Sequence, residues 1–157
     1  AGRLRRMTVS NRLLIAYGSN LNRKQMSYRC PTAKLLGAST LRNHRLVFRG
    51  PHAAAVTNVE DLKGRSVPVL VWEITPADEA ALDRYEGFPY LFEKRQFRIR
   101  LDGKLINCMA YVMTGDHPLG KPSAFYYSEI LEGYKDAGFD VDVLRTAVSE
   151  SAAAADD

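Results

Sequence analysis

Glu86 is the residue in this sequence best placed to move a proton. It closes a stretch, Thr75-Pro76-Ala77-Asp78 through Glu86, that carries helix signals, and Gly87 and Pro89 stop that helix immediately after it. At a helix C-terminus the unsatisfied carbonyls put negative potential beside a carboxylate, which raises its proton affinity and makes it a better base. The local sequence alone more simply gives a solvated charge next to a capping glycine. The second stretch with chemical potential is Leu13 to Leu21, an apolar run that breaks at Tyr17-Gly18-Ser19-Asn20. It reads as a buried strand ending in a turn, since Gly18 accepts backbone angles that other residues resist. The N–H groups of such a turn, with Ser19 and Asn20, can surround the anionic or carbonyl end of a small ligand, although an ordinary strand-to-turn junction has the same sequence. Tyr17 suits a core-packed loop aromatic as well as a ligand contact. Arg23 and Arg29 follow the loop and can attract a carboxylate, with solvated arginines as the simpler reading.

Other chemistries find less support. Cys30 and Cys108 are far apart and lack a CxxC partner, so free thiols are expected rather than a zinc site or a disulfide framework. His44, His52 and His117 lack metal-ligand spacing, and no metal or cofactor is expected. A serine hydrolase built on Ser19 is disfavoured because Gly18-Ser19-Asn20-Leu21 lacks the Gly-x-Ser-x-Gly elbow. The 157 residues carry 22 basic and 18 acidic side chains, but Arg3, Arg5 and Arg6 precede Met7, and without them the balance is 19 to 18. The basicity therefore belongs largely to a leader, and nucleic-acid binding has no other support. No apolar run approaches the roughly 20 residues of a membrane span, and no signal-peptide core precedes the first strand, so no membrane partner and a cytoplasmic location are expected.

The elements that must position Glu86 and the turn can be read in order. Residues 7–149 are expected to form one domain with Met7 as the native start, residues 1–6 a leader or a remnant added ahead of it, and residues 150–157 a flexible tail that frays from about Ser149. After the turn comes a short helix within Asn22 to Arg29, ended by Pro31. Strands follow at Ala38 to Leu41, Arg45 to Phe48, Ala53 to Val56 and Val67 to Ile74. The last has two mostly apolar faces and reads as central, with Pro68 tolerated only near its start. Thr75 caps the Glu86 helix, with Pro76 at its first position. Phe97, Ile99 and Leu101 alternate with polar residues, Asp102-Gly103 makes a tight turn, and Leu105 to Met113 returns as the second arm of a hairpin. Ser123 caps a helix whose buried stripe is Tyr127, Ile130, Leu131 and Tyr134, ended by Gly138. Asp140 or Asp142 caps a final helix with Val141, Leu144 and Val148 facing inward.

Three motifs in order carry a resemblance: Tyr17-Gly18-Ser19-Asn20-Leu21, Leu82-Asp83-Arg84-Tyr85-Glu86-Gly87, and Pro122-Ser123-Ala124-Phe125-Tyr126 followed by Ile130 and Gly133. From about Leu13 to Phe139 the chain resembles the γ-glutamyl cyclotransferase-like superfamily, which includes the AIG2-like proteins. The resemblance implies an α+β fold in which a small mixed β-barrel-like sheet carries flanking helices. It implies cyclisation of a γ-glutamyl group to 5-oxoproline with release of an amine or amino acid. Glu86 would be the general acid and base, and Tyr17, Gly18, Ser19, Asn20, Leu21 and Tyr126 the substrate-binding residues. Neither metal nor cofactor is implied, and the chain would act as a monomer or homodimer. The ring-closing nucleophile belongs to the substrate, so no enzyme nucleophile is needed. Asn20 speaks against the glutathione-specific branch, which has Tyr-Gly-Ser-Leu. The aromatic Phe88 to Phe92 and Tyr126-Tyr127 regions point to a bulkier substrate wall than a small γ-glutamyl amino acid needs. The alternative is a non-catalytic small-molecule-binding module of the same fold.

Overall fold

The computed structural model describes residues 10–156; the leader expected at residues 1–6 and the proposed start at Met7 lie outside the described residues. Strand β1 (Arg12–Ala16) carries the apolar run, and Leu13 to Ala16 are all buried. It is buried because it has a neighbour on each side. β3 (Val56–Ile74) pairs with it antiparallel, from Arg12 opposite Ile74 to Ala16 opposite Leu70, and β5 (Lys104–Met113) pairs with it parallel at Leu14 and Met109. The sheet order is β2-β3-β1-β5-β4, with β2 spanning Lys34–Arg49 and β4 spanning Phe92–Leu101.

No ladder joins β2 to β4, yet these outer strands approach one another. The Ser39 hydroxyl donates to the Arg100 carbonyl, and a Cβ at Gly37 would stand 3.1 Å from Leu101 Cδ1. The sheet is thus open in its hydrogen bonding but curled, which gives the barrel-like form expected.

Where four short strands are expected between Ala38 and Ile74, two long ones form. Register shifts between Leu35 and Gly37 and between Arg42 and His44 break the alternation along β2 while its pairing with β3 continues. Ala53 is not in a strand; with φ of 65° it belongs to the turn joining β2 and β3. Pro68, opposite Thr40, lies past the end of the β1 ladder, so its missing N–H interrupts no bond to β1.

The helices start and stop where their local chemistry dictates. In α1 (Arg23–Arg29) the Asn22 side chain accepts from the Gln25 N–H at 3.0 Å. In α2 (Pro76–Glu86) Thr75 and Asp78 form a reciprocal capping box, and Gly87 adopts the left-handed conformation (φ 68°) that ends the helix just after Glu86. In α3 (Ala124–Ala137) Ser123 accepts from the Tyr126 N–H, and Gly138 is the left-handed cap. The buried line of α3 is Ile130, Gly133 and Tyr134, with Tyr127 and Leu131 only partly buried beside it.

The last helix corrects an expectation. α4 (Val141–Asp156) begins with Asp140 accepting from the Asp142 N–H at 3.0 Å, and it continues through the segment expected to fray. Ser151 is fully buried and its Oγ accepts from the Phe48 N–H at 2.9 Å, so this segment is fastened to β2. Its alanines are strong helix formers rather than a sign of disorder. Leu144 and Ala147 share the buried line with Ser151, while Val148 is only partly buried.

Candidate functional site

Where β1 ends, the chain folds into a single 3-10 turn, Ser19–Leu21. The Leu21 N–H reaches back to the Gly18 carbonyl at 2.9 Å. The N–H groups of Ser19 and Asn20 precede that first bond and so have no acceptor within the turn. Tyr17 anchors the entry: its ring is buried and its hydroxyl donates to the Tyr111 carbonyl at 2.6 Å. Burial, together with nearby Glu86, holds the Tyr17 phenol well above its ordinary pKa.

Gly18 is required by space. A Cβ there would lie 2.1 Å from Thr57 Oγ1, inside any permitted contact, and 3.5 Å from the Tyr126 hydroxyl. Those two neighbours are bonded to each other. The Tyr126 hydroxyl accepts from the Thr57 N–H at 3.1 Å and shares a 2.9 Å hydrogen bond with Thr57 Oγ1. Tyr126 also meets Phe48 edge to face, and burial raises its phenol pKa.

Glu86 faces this turn from the end of α2. Burial is the largest influence on its carboxyl and pushes the pKa up to about 7, with Arg29 and a hydrogen bond from the Asn20 side chain pulling the other way. The direction matches the sequence reading, but the dominant cause is desolvation rather than the helix carbonyls. A carboxyl poised near neutrality can both take and return a proton at ordinary pH.

Asn20 is itself held. Its Oδ1 accepts from Arg29 Nη1 at 3.0 Å, which leaves its amide nitrogen for Glu86. Arg29 corrects the expectation of a solvated side chain: it is 12% exposed, stacks on the Tyr85 ring at 3.8 Å and lies 4.0 Å from Glu129 Oε2. Arg23 is exposed, as the simpler reading had it. Ser19 Oγ and the Tyr85 hydroxyl are 3.0 Å apart, linking the turn to the residue before Glu86.

A cavity of about 260 Å³ opens between these groups. Tyr17, Gly18, Ser19, Asn20, Glu86 and Tyr126 all line it, joined by Val56, Thr57, Tyr85, Leu91, Phe92 and Tyr111. Leu21 does not line it. It is fully buried against Gly133, where a Cβ would come within 2.8 Å of the Leu21 backbone carbon, so its place is to seat α3 under the turn. Thr57, Tyr85 and Tyr111 were not singled out from sequence, because nothing local marks a residue whose partner is 66 to 94 positions away. Among the described residues no cluster of His, Cys, Asp or Glu is arranged to hold a metal ion, and no helix is long and apolar enough to cross a membrane.

Comparison with known proteins finds relatives over most of the chain. A gamma-glutamylcyclotransferase of Bos taurus is 27% identical over 135 residues, covering 80% of this chain and 71% of that protein. Its counterpart in Mus musculus is 28% identical over 136 residues, again covering 80% and 71%. A solved structure of a gamma-glutamyl cyclotransferase superposes with a TM-score of 0.75 at 24% identity, over 87% of this chain and 86% of that one, a likeness of fold. The family model for gamma-glutamyl cyclotransferase, AIG2-like, matches residues 14–129, which run from β1 through the cavity residues to the first half of α3. The chain belongs to the gamma-glutamyl cyclotransferase, AIG2-like family.

Proposed function

We propose that this chain is a γ-glutamyl cyclotransferase that converts a γ-glutamyl amide into 5-oxoproline and a free amine or amino acid, with Glu86 as general acid and base. The observation that carries this reading is the Glu86 carboxyl, half-buried in the cavity wall with a pKa near 7 and facing the backbone of the Gly18 turn. The relatives named above lend it support.

In the reaction, Glu86 accepts a proton from the substrate's α-ammonium, and the freed nitrogen attacks the γ-carbonyl carbon of the same molecule. The N–H groups of the Gly18-Ser19-Asn20 turn receive either the substrate carboxylate or the oxyanion of the tetrahedral intermediate. Collapse of that intermediate breaks the bond to the departing nitrogen, which takes its proton from Glu86; the ring nitrogen gives its surplus proton to the carboxylate so regenerated, which passes it to the released amine. Water is neither consumed nor released. Enclosure in a small cavity holds the γ-glutamyl group folded, so ring closure is already favoured by proximity. Tyr126, tied to Thr57, supplies a fixed polar wall opposite Glu86, and Tyr17 closes the floor.

The test is incubation with a panel of γ-glutamyl amino acids and γ-glutamyl amines, following 5-oxoproline release. Release from at least one member is expected. Saturable binding across the panel with no product would replace this reading with that of a binding module.

A further inference from the structure

We infer that Arg29 is a positioning residue for this site: its guanidinium fixes Asn20, and through Asn20 the Glu86 carboxylate, while bracing Tyr85 behind Ser19. The inference rests on the proposed role of Glu86 and adds a residue that touches neither substrate nor the reacting atoms.

Three contacts, on three neighbouring elements, converge on this one side chain. Nη1 donates to Asn20 Oδ1 at 3.0 Å in the turn after β1, and the guanidinium carbon sits 3.8 Å from the centre of the Tyr85 ring on α2. Nη2 lies 4.0 Å from Glu129 on α3, and both side chains of that pair are about seven-eighths withdrawn from solvent. Tyr85 extends this set to the turn, since its hydroxyl is 3.0 Å from Ser19 Oγ. Two consecutive turn residues are thus tied to Arg29 at the end of α1, Asn20 directly and Ser19 through the Tyr85 ring. A planar guanidinium can lie flat on the ring while its fork of donors points outward in fixed directions, a geometry that a lysine ammonium does not reproduce.

The arrangement also sets which way Asn20 faces. With Oδ1 taken by Arg29, the amide nitrogen is the end left for Glu86, and an amide donor favours the charged carboxylate. The other groups facing Glu86 are the phenols of Tyr17 at the end of β1, Tyr111 on β5 and Tyr126 on α3, each neutral because burial raises its pKa, and Tyr85 on its own helix. Arg29 is therefore the cation that keeps burial from pushing Glu86 still higher, and it does so without forming an ion pair that would quench the base.

The experiment is a carbon-13 carboxyl titration of Glu86, assigned by loss of the signal in Glu86→Gln, in the wild type and in Arg29→Met, Arg29→Gln and Arg29→Lys. The pH dependence of kcat/KM on an active γ-glutamyl substrate is measured alongside. Arg29→Met and Arg29→Gln should raise the Glu86 midpoint by about one pH unit or more, and the acid limb of the rate profile should move with it. Arg29→Lys should keep the midpoint near that of the wild type but lose kcat about tenfold, because charge survives while the fork and the stack do not. A purely structural arginine would lower the melting temperature and leave the midpoint in place. Should Arg29→Met not fold, Arg29→Gln, which retains a donor for Asn20, reads the same midpoint. An unchanged midpoint in the folded variants overturns the inference. A shifted midpoint in a protein that cyclises no panel member overturns the proposed reaction and leaves the positioning role standing.

Discussion

Glu60 on β3 and Glu86 at the end of α2 are both partly buried and both have arginines nearby, yet their proton affinities move in opposite directions. Glu60 is held below the usual carboxylate range, first by its hydrogen bonds from Arg49. Arg49 Nη2 donates to Oε1 at 3.1 Å, its Nε donates to the other oxygen, and Arg45 Nη2 adds a contact at 3.6 Å. Glu86 has no such embrace; its arginine reaches it through the Asn20 amide, and burial wins. The contrast separates two uses of the same residue types. A guanidinium laid directly on a carboxylate fixes the charge and ties elements together, as Arg49 also does by donating to the His117 carbonyl at 2.7 Å. A guanidinium one amide away lets the carboxylate stay near the point where it can change charge.

The largest expected effect comes from removing the poised member of the pair. Glu86→Gln keeps the shape and loses the proton-accepting group, so turnover on an active substrate should fall about 10²- to 10⁴-fold, roughly 3–5 kcal/mol of barrier. The same substitution should stabilise the fold, in a pH-dependent way. The folded pKa of Glu86, about 7, lies above the usual 4.5, so the native state binds the proton more tightly than the unfolded chain. Wild-type stability attributable to this group therefore declines as pH rises from about 4.5 to about 7, and the loss is constant above that. Urea denaturation should find the two proteins equal near pH 4 and Glu86→Gln more stable above pH 7, by on the order of 3 kcal/mol at most. Equal stability at pH 8 would mean that burial does not act on Glu86 as argued.

Next in size is the close approach that builds the cavity wall. Gly18→Ala would drive a methyl group into Thr57 Oγ1 and disturb the Thr57–Tyr126 pair, at a cost of about 1–3 kcal/mol in stability. Thr57→Ala removes the obstructing oxygen, so the double variant should melt higher than the two single changes would sum to. Strict additivity would show that the turn and Thr57 do not share this contact.

How far the sequence revealed these features follows from the range of the forces involved. Thr75 with Gly87, Ser123 with Gly138, and the Asp102-Gly103 turn were legible because a cap or a tight turn is made by residues within a few positions of one another. The long β2–β3 pair was not, since its register shifts interrupt the alternation that identifies a strand. The final helix was misread because alanines followed by aspartates look the same in a tail as in a helix, and only the Phe48 N–H waiting for Ser151 decides between them. At the site, Glu86 and the Tyr17 turn stood out by motif, but desolvation, the main cause of the raised Glu86 pKa, depends on what packs around it. Arg29 was visible as a residue and invisible as a clamp, because Tyr85 and Glu129 are brought to it only by folding.

A smaller effect tests the fastened member. Glu60→Gln should cost about 1–2 kcal/mol at pH 7, since one of the two Arg49 bonds keeps only an uncharged amide oxygen as acceptor and the other meets an amide nitrogen that cannot accept, in a partly buried setting. Because the folded pKa is depressed, the stabilisation is present above the ordinary carboxylate value and is lost as pH falls through the folded one, so the difference between variant and wild type should shrink in acid. Glu60 is not among the cavity residues, and kcat should be unchanged. A loss of kcat comparable to that of Glu86→Gln would remove the distinction between the two glutamates.

The smallest expected effect is at Ser19, which lines the same cavity as Glu86 yet contributes mainly through atoms that mutation cannot delete. Ser19→Ala removes the 3.0 Å hydrogen bond to the Tyr85 hydroxyl, but Tyr85 is 45% exposed and water can replace the lost partner. The backbone N–H groups of the turn stay where they are, and so does the Arg29 stack on the Tyr85 ring. The net worth of one such bond is about 0.5–1.5 kcal/mol, so kcat/KM should fall by roughly tenfold at most, with no movement of the pH profile. A fall as deep as that of Glu86→Gln would mean that the serine hydroxyl itself takes part in the chemistry. The contrast between a poised carboxylate and the frame that holds it would then have been drawn one residue too narrowly.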